Sequence, residues 1–218
     1  MGKKIFVLVM SFVLILGFVI DLKVDAAGTG EAKKHSLNQS SESDIYKEEL
    51  ANLTQEEISS NFKRIDTQYK IGEAFSLKDQ TFVELYAKKA TPEGITLFAS
   101  KTISGSRTSN GITVTVNGTI KDDIQNIINH SFGASNLKTS TTAGSSKVTS
   151  VKTVVYHNAY GLVGSGGVGK VYSGSISTSG KNTILTATKN YTAVVAYAST
   201  WCTVTVNHTG GTFTVNPQ

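Results

Sequence analysis

The sequence predicts a mainly β protein: an antiparallel β-sandwich of immunoglobulin-like type with seven to nine strands, preceded by a small α-helical hairpin. From Ile95 onwards apolar residues recur at every second position, most clearly in residues 112–116 and 202–206. Turn-forming Gly, Asn and Ser residues separate the candidate strands every 10 to 20 residues or so. No helix-length segment alternates with these strands, which disfavours a parallel α/β sheet.

Residues 1–26 have the pattern of a secretory signal peptide. Lys3 and Lys4 precede an apolar run over residues 5–20, and small residues follow at Ala26 and Ala27. The run is 16 residues long, whereas a membrane-spanning helix needs about 20; a retained signal anchor is the alternative. We therefore expect a secreted, extracellular protein. Its single cysteine allows no intramolecular disulfide, which is typical of a Gram-positive exterior.

Charge and composition change sharply near residue 91. Residues 28–90 contain 11 acidic and 9 basic side chains, whereas residues 91–218 contain 3 acidic and 9 basic ones, and no carboxylate side chain follows Asp123. Residues 27–43 are polar and aperiodic, which predicts a disordered lead-in. The expected organisation is this lead-in, an acidic helical segment over residues 44–91 and a cationic β-sandwich over residues 92–218.

Two helix starts mark the acidic segment, and residues 44–50 are expected to form a shorter helix or turn before them. Thr54 and Glu57 have the spacing of a capping box, and Ser76 with Asp79 offers a second N-terminal signal. An apolar stripe at helical spacing follows the first start: Ile58, Phe62, Ile65 and Tyr69. The second helix is expected to end near Ala90. A hairpin of this size has too little core to fold alone, so it should dock on its neighbour.

The candidate strands are residues 112–116, 152–157, 171–177, 184–188, 193–197, 202–206 and 213–215. Turns are expected at Ser109-Asn110-Gly111, Asn117-Gly118, Ser179-Gly180 and Gly210-Gly211. Residues 122–129 could form one helical turn between the sheets.

A glycine pattern at Gly164, Gly166 and Gly169 matches the dinucleotide-binding expression. That motif requires a following helix whose N-terminus faces phosphate, but strand-forming residues begin at Val171. A glycine loop between strands is the favoured interpretation, with insertion of the loop into a partner or membrane as the alternative. We expect no cofactor and no bound nucleotide.

Other catalytic constellations are weak. Cys202 and His208 could form a nucleophile pair, but a lone cysteine on an alternating strand is more typical of a core thiol. His130 and His157 could join Asp122 or Asp123 at a metal, although no ligand spacing supports this. Paired carboxylates for glycoside hydrolysis could come only from residues before 124. The prediction is a protein that is not an enzyme and has no metal site.

The excess of cations predicts an anionic partner, either teichoic acid or anionic lipid. Nucleic acid is disfavoured for an exported protein with one Arg after residue 90. Tyrosines among the lysines could stack on glycans or lie at a membrane interface, although packing on the sheet is the simpler interpretation. The candidate envelope-binding residues are Lys147, Lys152, Lys170, Lys181, Lys189, Tyr156, Tyr160 and Tyr172.

Two segments, residues 65–76 with 82–87 and residues 154–164, resemble parts of secreted Gram-positive proteins of the bacteriocin-like, or bacteriocin/immunity fusion, type. The resemblance implies a non-enzymatic antibacterial protein that acts on the cell envelope, and it assigns no residue roles. In this hypothesis the acidic segment keeps the protein soluble or serves as a pro-region. The alternative is a non-toxic wall-binding or adhesion module, retained by charge because no LPxTG-type tail follows the last strand.

Overall fold

Two antiparallel sheets pack face to face, and three helices cover part of the outer surface of one sheet. The computed structural model describes residues 42–90, 99–124, 128–164 and 166–218, all of which fall within one compact unit. The helices are α1 (residues 42–50), α2 (Gln55–Gln68) and α3 (Leu77–Tyr86). The strands are β1 (Lys88–Lys89), β2 (Ala99–Ser109), β3 (Ile112–Asp123), β4 (Asn129–Ala143), β5 (Val148–Val163), β6 (Gly167–Ser179), β7 (Asn182–Thr192), β8 (Tyr197–His208) and β9 (Gly211–Val215).

The first sheet has the order β2-β3-β4-β7, and the second has the order β1-β8-β5-β6. Strand β9 also pairs with β8, on the edge that β1 uses, because β5 occupies the other edge along its whole length. A mainly β antiparallel sandwich preceded by a helical unit is thus confirmed. Strands β2, β3 and β4 are neighbours in one sheet, whereas the immunoglobulin order places the third strand in the opposite sheet.

The main core lies between the sheets and explains the two-residue period of the sequence. Alternate residues of β3, Ile112, Val114 and Val116, point inward and are fully buried, as are Val204 and Val206 of β8. The intervening residues are Thr, Ser and Asn, which can face water. Burying one face of each strand fixes the register, since a slip of one residue would expose the whole apolar set.

The helical unit docks on the outer face of the second sheet, as its size requires. The predicted capping box is present: the Thr54 amide donates to Glu57 Oε2 at 2.7 Å, and the Glu57 amide donates to Thr54 Oγ1 at 3.3 Å. The second start is confirmed by the Asp79 amide, which donates to Ser76 Oγ. Phe62 and Ile65 of α2 share an apolar cluster with Tyr160 of β5.

Backbone hydrogen bonds make the helical unit part of the sheet. The Gly72 amide donates to the Lys170 carbonyl and the Phe75 amide donates to the Val168 carbonyl, each at 2.9 Å. Strand β1 pairs with β8 through Lys88 and Ala198. Helix α3 therefore ends at Tyr86, not near Ala90, because the chain turns extended to join the sheet.

Several element predictions are wrong. Asn117 and Gly118 do not form a turn; they lie inside β3 at a break in the register with β4. Of the predicted strand 193–197, only the last residue belongs to β8, and residues 193–195 are irregular. Asp122 and Asp123 end β3 instead of starting a helical turn. Strands β2 and β4 were not predicted, because Ser, Thr and Gly occupy more than half of β2 and nearly half of β4.

Some predictions fall outside the described residues. These are the signal peptide over residues 1–26, residues 27–41 of the lead-in, residues 91–94 at the boundary between the helical segment and the β domain, the start of the alternating pattern at 95–98, and residues 125–127. Residues 42 and 43, which the sequence assigned to the lead-in, are already helical. Within the described ranges, no helix is long and apolar enough to cross a membrane.

Candidate functional site: a cationic turn end of the sandwich

Four connections meet at the end of the sandwich that lies away from the helices. They are residues 110–111 between β2 and β3, 144–147 between β4 and β5, 180–181 between β6 and β7, and 209–210 between β8 and β9. We call this surface the turn end and include in it the adjoining strand residues Arg107 and Lys152. Loops gathered at one end of a rigid sandwich are a common place for binding sites.

Hydrogen bonds join these connections into one surface. The Lys147 ammonium donates to the Asn110 carbonyl at 3.4 Å, and the Thr209 amide donates to the Lys147 carbonyl at 3.2 Å. The Lys181 ammonium donates to the Ser145 carbonyl at 2.8 Å. The other three connections are thus all hydrogen-bonded to the segment between β4 and β5.

The conformation of the turn between β2 and β3 is explained by its two residues. Asn110 and Gly111 both have positive φ, 53° and 73°, which is the conformation of a two-residue hairpin whose twist matches that of the strands. Asn and Gly are the residues that adopt it most readily. This turn was predicted from the sequence, and it places Arg107 and Lys147 at the same end of the molecule.

The turn end carries positive charge without a counter-charge. Among the described residues, none of Lys147, Lys152 and Lys181 forms an ion pair with a carboxylate. Lys147 and Lys152 are exposed, and Lys181 is half-buried. Arg107, which sequence reasoning missed, lies beside them on β2; its guanidinium donates to the Thr214 carbonyl at 3.0 Å and lies over the Phe213 ring.

The described acidic side chains lie towards the opposite end of the molecule. Residues 42–90, which carry the helices, contain ten acidic and seven basic side chains. The two described carboxylates of the β domain, Asp122 and Asp123, lie at the end of β3 that faces away from the turn end. The charge asymmetry read from the sequence is therefore also an asymmetry in space.

The structure separates the predicted envelope-binding residues. Lys147, Lys152 and Lys181 come together, whereas Lys189 is exposed on β7, opposite Phe132 and far along the strand from the turn end. Tyr156 is half-buried on the outer face of the second sheet.

Two residues of the set are buried, and a third is partly buried. Tyr160 is 0% exposed and Lys170 is 4% exposed, because both lie under the helical unit. Burial raises the pKa of the Tyr160 hydroxyl. Tyr172 stacks on Tyr191 with ring centroids 4.0 Å apart, and its hydroxyl is buried. Tyr160 and Lys170 are therefore not available to an external surface in this fold, which contradicts their assignment to envelope binding, whereas Tyr172 remains partly exposed.

A buried polar chain crosses the sandwich near the helical end. His157 Nε2 lies 2.8 Å from the Tyr191 hydroxyl, and His157 Nδ1 lies 2.7 Å from Thr200 Oγ1. Burial, together with the positive charges of His130 and Lys88, lowers the pKa of His157 to about 3. Burial likewise raises the pKa of Tyr191. Because both ring nitrogens are already engaged, this histidine links the two sheets and has no free nitrogen for a substrate.

A metal at these residues finds no support from their arrangement. His130 Nε2 pairs with the Ala193 carbonyl at 2.9 Å, and its Nδ1 is buried without a hydrogen-bond partner. In the part of the chain that the structure describes, no three His, Cys, Asp or Glu side chains group as metal ligands would.

Cys202 is a core thiol, as its alternating strand predicted. It is 2% exposed, and burial raises its pKa to about 12. His208 lies six residues further along β8, about 20 Å away at the usual rise of a strand, and accepts from the Gly210 amide at 3.1 Å. The two cannot form a nucleophile pair.

The glycine pattern forms the hairpin between β5 and β6. Gly164 and Gly166 have positive φ, 54° and 112°, and strand β6 begins at Gly167. A strand, not a helix, therefore follows this turn, and the interpretation as a loop between strands is confirmed.

Comparisons of the chain with protein families, with curated proteins and with solved structures give no significant match. The functional argument therefore rests on the residues and their arrangement.

Proposed function

We propose that this is an exported, non-enzymatic protein that binds an anionic component of the bacterial cell envelope through its turn end. The observation that carries the proposal is the grouping of Lys147, Lys152 and Lys181 on one loop surface without a paired carboxylate. Teichoic acid or anionic lipid would supply the missing counter-charge. The secretory pattern of residues 1–26 supports an envelope as the place where the partner is met.

The distribution of charge favours a defined orientation on such a surface. Like charges gathered on one face attract an anionic polymer more strongly than the same charges scattered, and the acidic helices at the far end are repelled by it. The turn end would therefore approach first. Because hydrogen bonds hold these turns to one another, among them the one from the Thr209 amide to the Lys147 carbonyl, little ordering would be needed on binding.

The resemblance to bacteriocin-like proteins adds a consequence, namely that binding inhibits the target cell. The alternative is a wall-binding or adhesion module whose binding does no harm. In either case we expect the helical unit to remain in the active protein, since strand β1 and the contacts of Gly72 and Phe75 make it part of the second sheet. Its removal as a pro-region would expose the apolar cluster around Tyr160.

The test uses purified residues 28–218 in two assays. Co-sedimentation with cell walls that bear teichoic acid, and with anionic vesicles, measures binding; a spot test against Gram-positive strains measures inhibition. Binding with inhibition supports the bacteriocin-like form, and binding without inhibition supports the wall-binding module. Absence of binding to both surfaces at 0.05 M salt, where charge attraction is strongest, would refute the proposal.

A further inference from the structure

The outer face of the second sheet is only half covered by the helices. Asp66 of α2 accepts hydrogen bonds from Asn158 and Ser173, so this row of the sheet lies under the helical layer. The next row, towards the turn end, consists of Ser175, Tyr156 and Trp201 on the neighbouring strands β6, β5 and β8. Helix α2 borders the β8 side of this row, where Phe62 and Trp201 line the same cavity, whereas Ser175 on the β6 side is exposed.

Tyr156 and Trp201 form a stacked pair on this open face. Their ring centroids are 5.5 Å apart and their planes differ by 17°. Both rings are partly exposed, although aromatic side chains of this size usually lie in a core or an interface. Elsewhere in the described structure the outer faces of the sheets carry mostly Ser, Thr, Asn and Lys, so an aromatic pair here is unusual for its surroundings.

The surroundings of the pair are hydroxyl groups and cations. The row beyond it places Ser177 and Thr203 on either side of Val154, and the following row places Lys152 between Ser179 and Thr205. Lys152 is four residues from Tyr156 along β5, which is about 13 Å at the usual rise of a strand. The strip therefore runs without interruption from the aromatic pair through hydroxyls to the turn end.

We propose that this strip binds a glycan chain of the cell wall, with a sugar ring packed against the Tyr156–Trp201 pair. The exposed Ser175 and Ser177 would exchange hydrogen bonds with the sugar hydroxyls, whereas the Thr203 hydroxyl already donates to Asn216 Oδ1 at 3.3 Å. Lys152 would lie beneath the anionic part of the polymer as it continues to the turn end. This inference rests on the proposed function and names the chemistry of the ligand at a second, largely uncharged contact.

A glycan fits this strip better than a lipid surface does. The strip combines one apolar surface, the aromatic pair, with rows of hydroxyl groups beside it. This matches a polymer whose rings have apolar faces and polar edges. Insertion into lipid would instead require several exposed apolar side chains side by side, and apart from the pair and Val154 the strip is polar. Val154 is itself 7% exposed and contributes little surface.

The experiment measures binding to wall glycan from which phosphate polymers have been removed with hydrofluoric acid, in 0.5 M salt. Under these conditions charge attraction is largely screened, so the aromatic contact dominates. We expect the full mature chain to bind and Tyr156→Ser to bind roughly tenfold more weakly, a loss typical of removing an aromatic residue at the centre of a contact. The chain has one tryptophan, so acrylamide quenching reports directly on Trp201, which the bound glycan should protect.

Tyr46→Ser is the matched control, because Tyr46 is also partly exposed but lies on α1. It should leave glycan binding unchanged. The inference would be overturned if Tyr156→Ser bound the glycan as tightly as wild type while both proteins were folded by near-ultraviolet circular dichroism. It would also be overturned if acrylamide quenched Trp201 as strongly in the glycan-bound protein as in the free protein.

The two proposals fail in different ways. The variant K147Q/K152Q/K181Q should lose binding to intact walls at low salt yet keep most of its binding to stripped glycan in 0.5 M salt. If the triple variant no longer binds intact walls while Tyr156→Ser binds the stripped glycan as wild type does, the turn end is supported and the glycan strip is rejected. If only Tyr156→Ser loses binding, the glycan strip stands and the turn end is rejected.

Discussion

The Lys170 ammonium lies 3.1 Å from Oδ1 of Asp66 and 2.7 Å from the Asp66 backbone carbonyl oxygen. This contact joins strand β6 to helix α2 across 104 residues of sequence. The Lys170 side chain is 6% exposed, whereas the Asp66 side chain is 25% exposed, so the cation depends on this partner far more than the carboxylate does. One of the six lysines that follow the last acidic residue thus serves the docking of the helical unit, not a partner.

Asp66→Ala should therefore cost more stability than Lys170→Met. Removing the carboxylate leaves a buried ammonium and the Asn158 amide short of acceptors, which we expect to cost about 3 kcal/mol. Lys170→Met leaves Asp66 to be hydrated at the surface and should cost about 1 kcal/mol. Urea unfolding measures both values, and in the double variant the loss should be smaller than for Asp66→Ala alone. Equal losses in the two single variants would contradict this account.

The titration of His157 makes stability depend on pH. Its pKa is about 3 in the folded protein and about 6.5 in an unfolded chain, so the unfolded state binds a proton first as the pH falls. The contribution of His157 to stability is fully present above pH 6.5. As the pH falls from 6 to 4, the free energy of unfolding should decrease by up to about 1.4 kcal/mol per pH unit. Carboxylates such as Asp79, whose pKa is lowered by hydrogen bonds from Arg64 and Tyr69 against the effect of burial, add to the loss only below about pH 4.

The variant His157→Gln isolates this contribution. It removes the titrating group and should flatten the free energy of unfolding between pH 6 and pH 4, although its stability at pH 7 will be lower. Lower stability is expected because His157 stacks on Phe132 with centroids 4.7 Å apart. An unchanged slope in the variant, measured by urea unfolding at each pH, would assign the dependence to other groups.

Local signals in the sequence predicted the elements well where one interaction decides them. The capping box at Thr54, the hairpin turn at Asn110 and the buried alternation of β3 each depend on neighbouring residues, and each was found. The sequence could not show that Lys170 and Tyr160 lie under the helices, because this depends on which face of the second sheet the helical unit covers. A lysine and a tyrosine in a cationic segment look alike whether they are buried or exposed.

Gly118 shows why one predicted turn was wrong. Asn-Gly usually marks a hairpin, but here the glycine allows β3 to approach β4 closely. A Cβ at Gly118 would lie 2.5 Å from the Asn136 carbonyl oxygen and from Leu137 Cα, and its φ is 147°. Gly118→Ala should therefore lower the free energy of unfolding by about 2 to 4 kcal/mol.

Gly210→Ala is the control for this prediction. The nearest atoms to its Cβ would be side-chain atoms, of His208 at 3.3 Å and of Asn110 at 3.9 Å, and thermal unfolding should show a small loss of stability. A Gly118→Ala protein as stable as Gly210→Ala would mean that β3 and β4 can move apart at this point without cost.

Cys202 should report on opening of the core. It is the single cysteine of the chain, and its thiol is buried with a pKa of about 12. Because thiolate is the reactive form, labelling by a disulfide reagent at pH 8 should be slower than for a free thiol by a factor on the order of a thousand. The rate should rise with urea in parallel with unfolding. Labelling of the native protein at the rate of a small thiol would show that β8 opens far more easily than its packing indicates.

The arrangement of lysines, and not their number, should decide envelope binding. The variant K147Q/K152Q/K181Q removes three charges from the turn end, and K121Q/K138Q/K189Q removes three from the exposed positions of β3, β4 and β7. The two variants have the same net charge, so a partner that senses only net charge would treat them alike. A contact worth about 1 kcal/mol per lysine near an anionic surface predicts a loss of tenfold or more for the turn-end variant at 0.1 M salt. The control variant should lose about threefold or less in affinity, because its lysines lie away from the contact.

Raising the salt to 1 M shortens the screening length from about 10 Å to about 3 Å and should make the affinities of the two variants and the wild type similar. Co-sedimentation with teichoic-acid-bearing walls measures all three, and equal losses in the two variants would reject the turn end as the binding surface while leaving a non-specific attraction in its place.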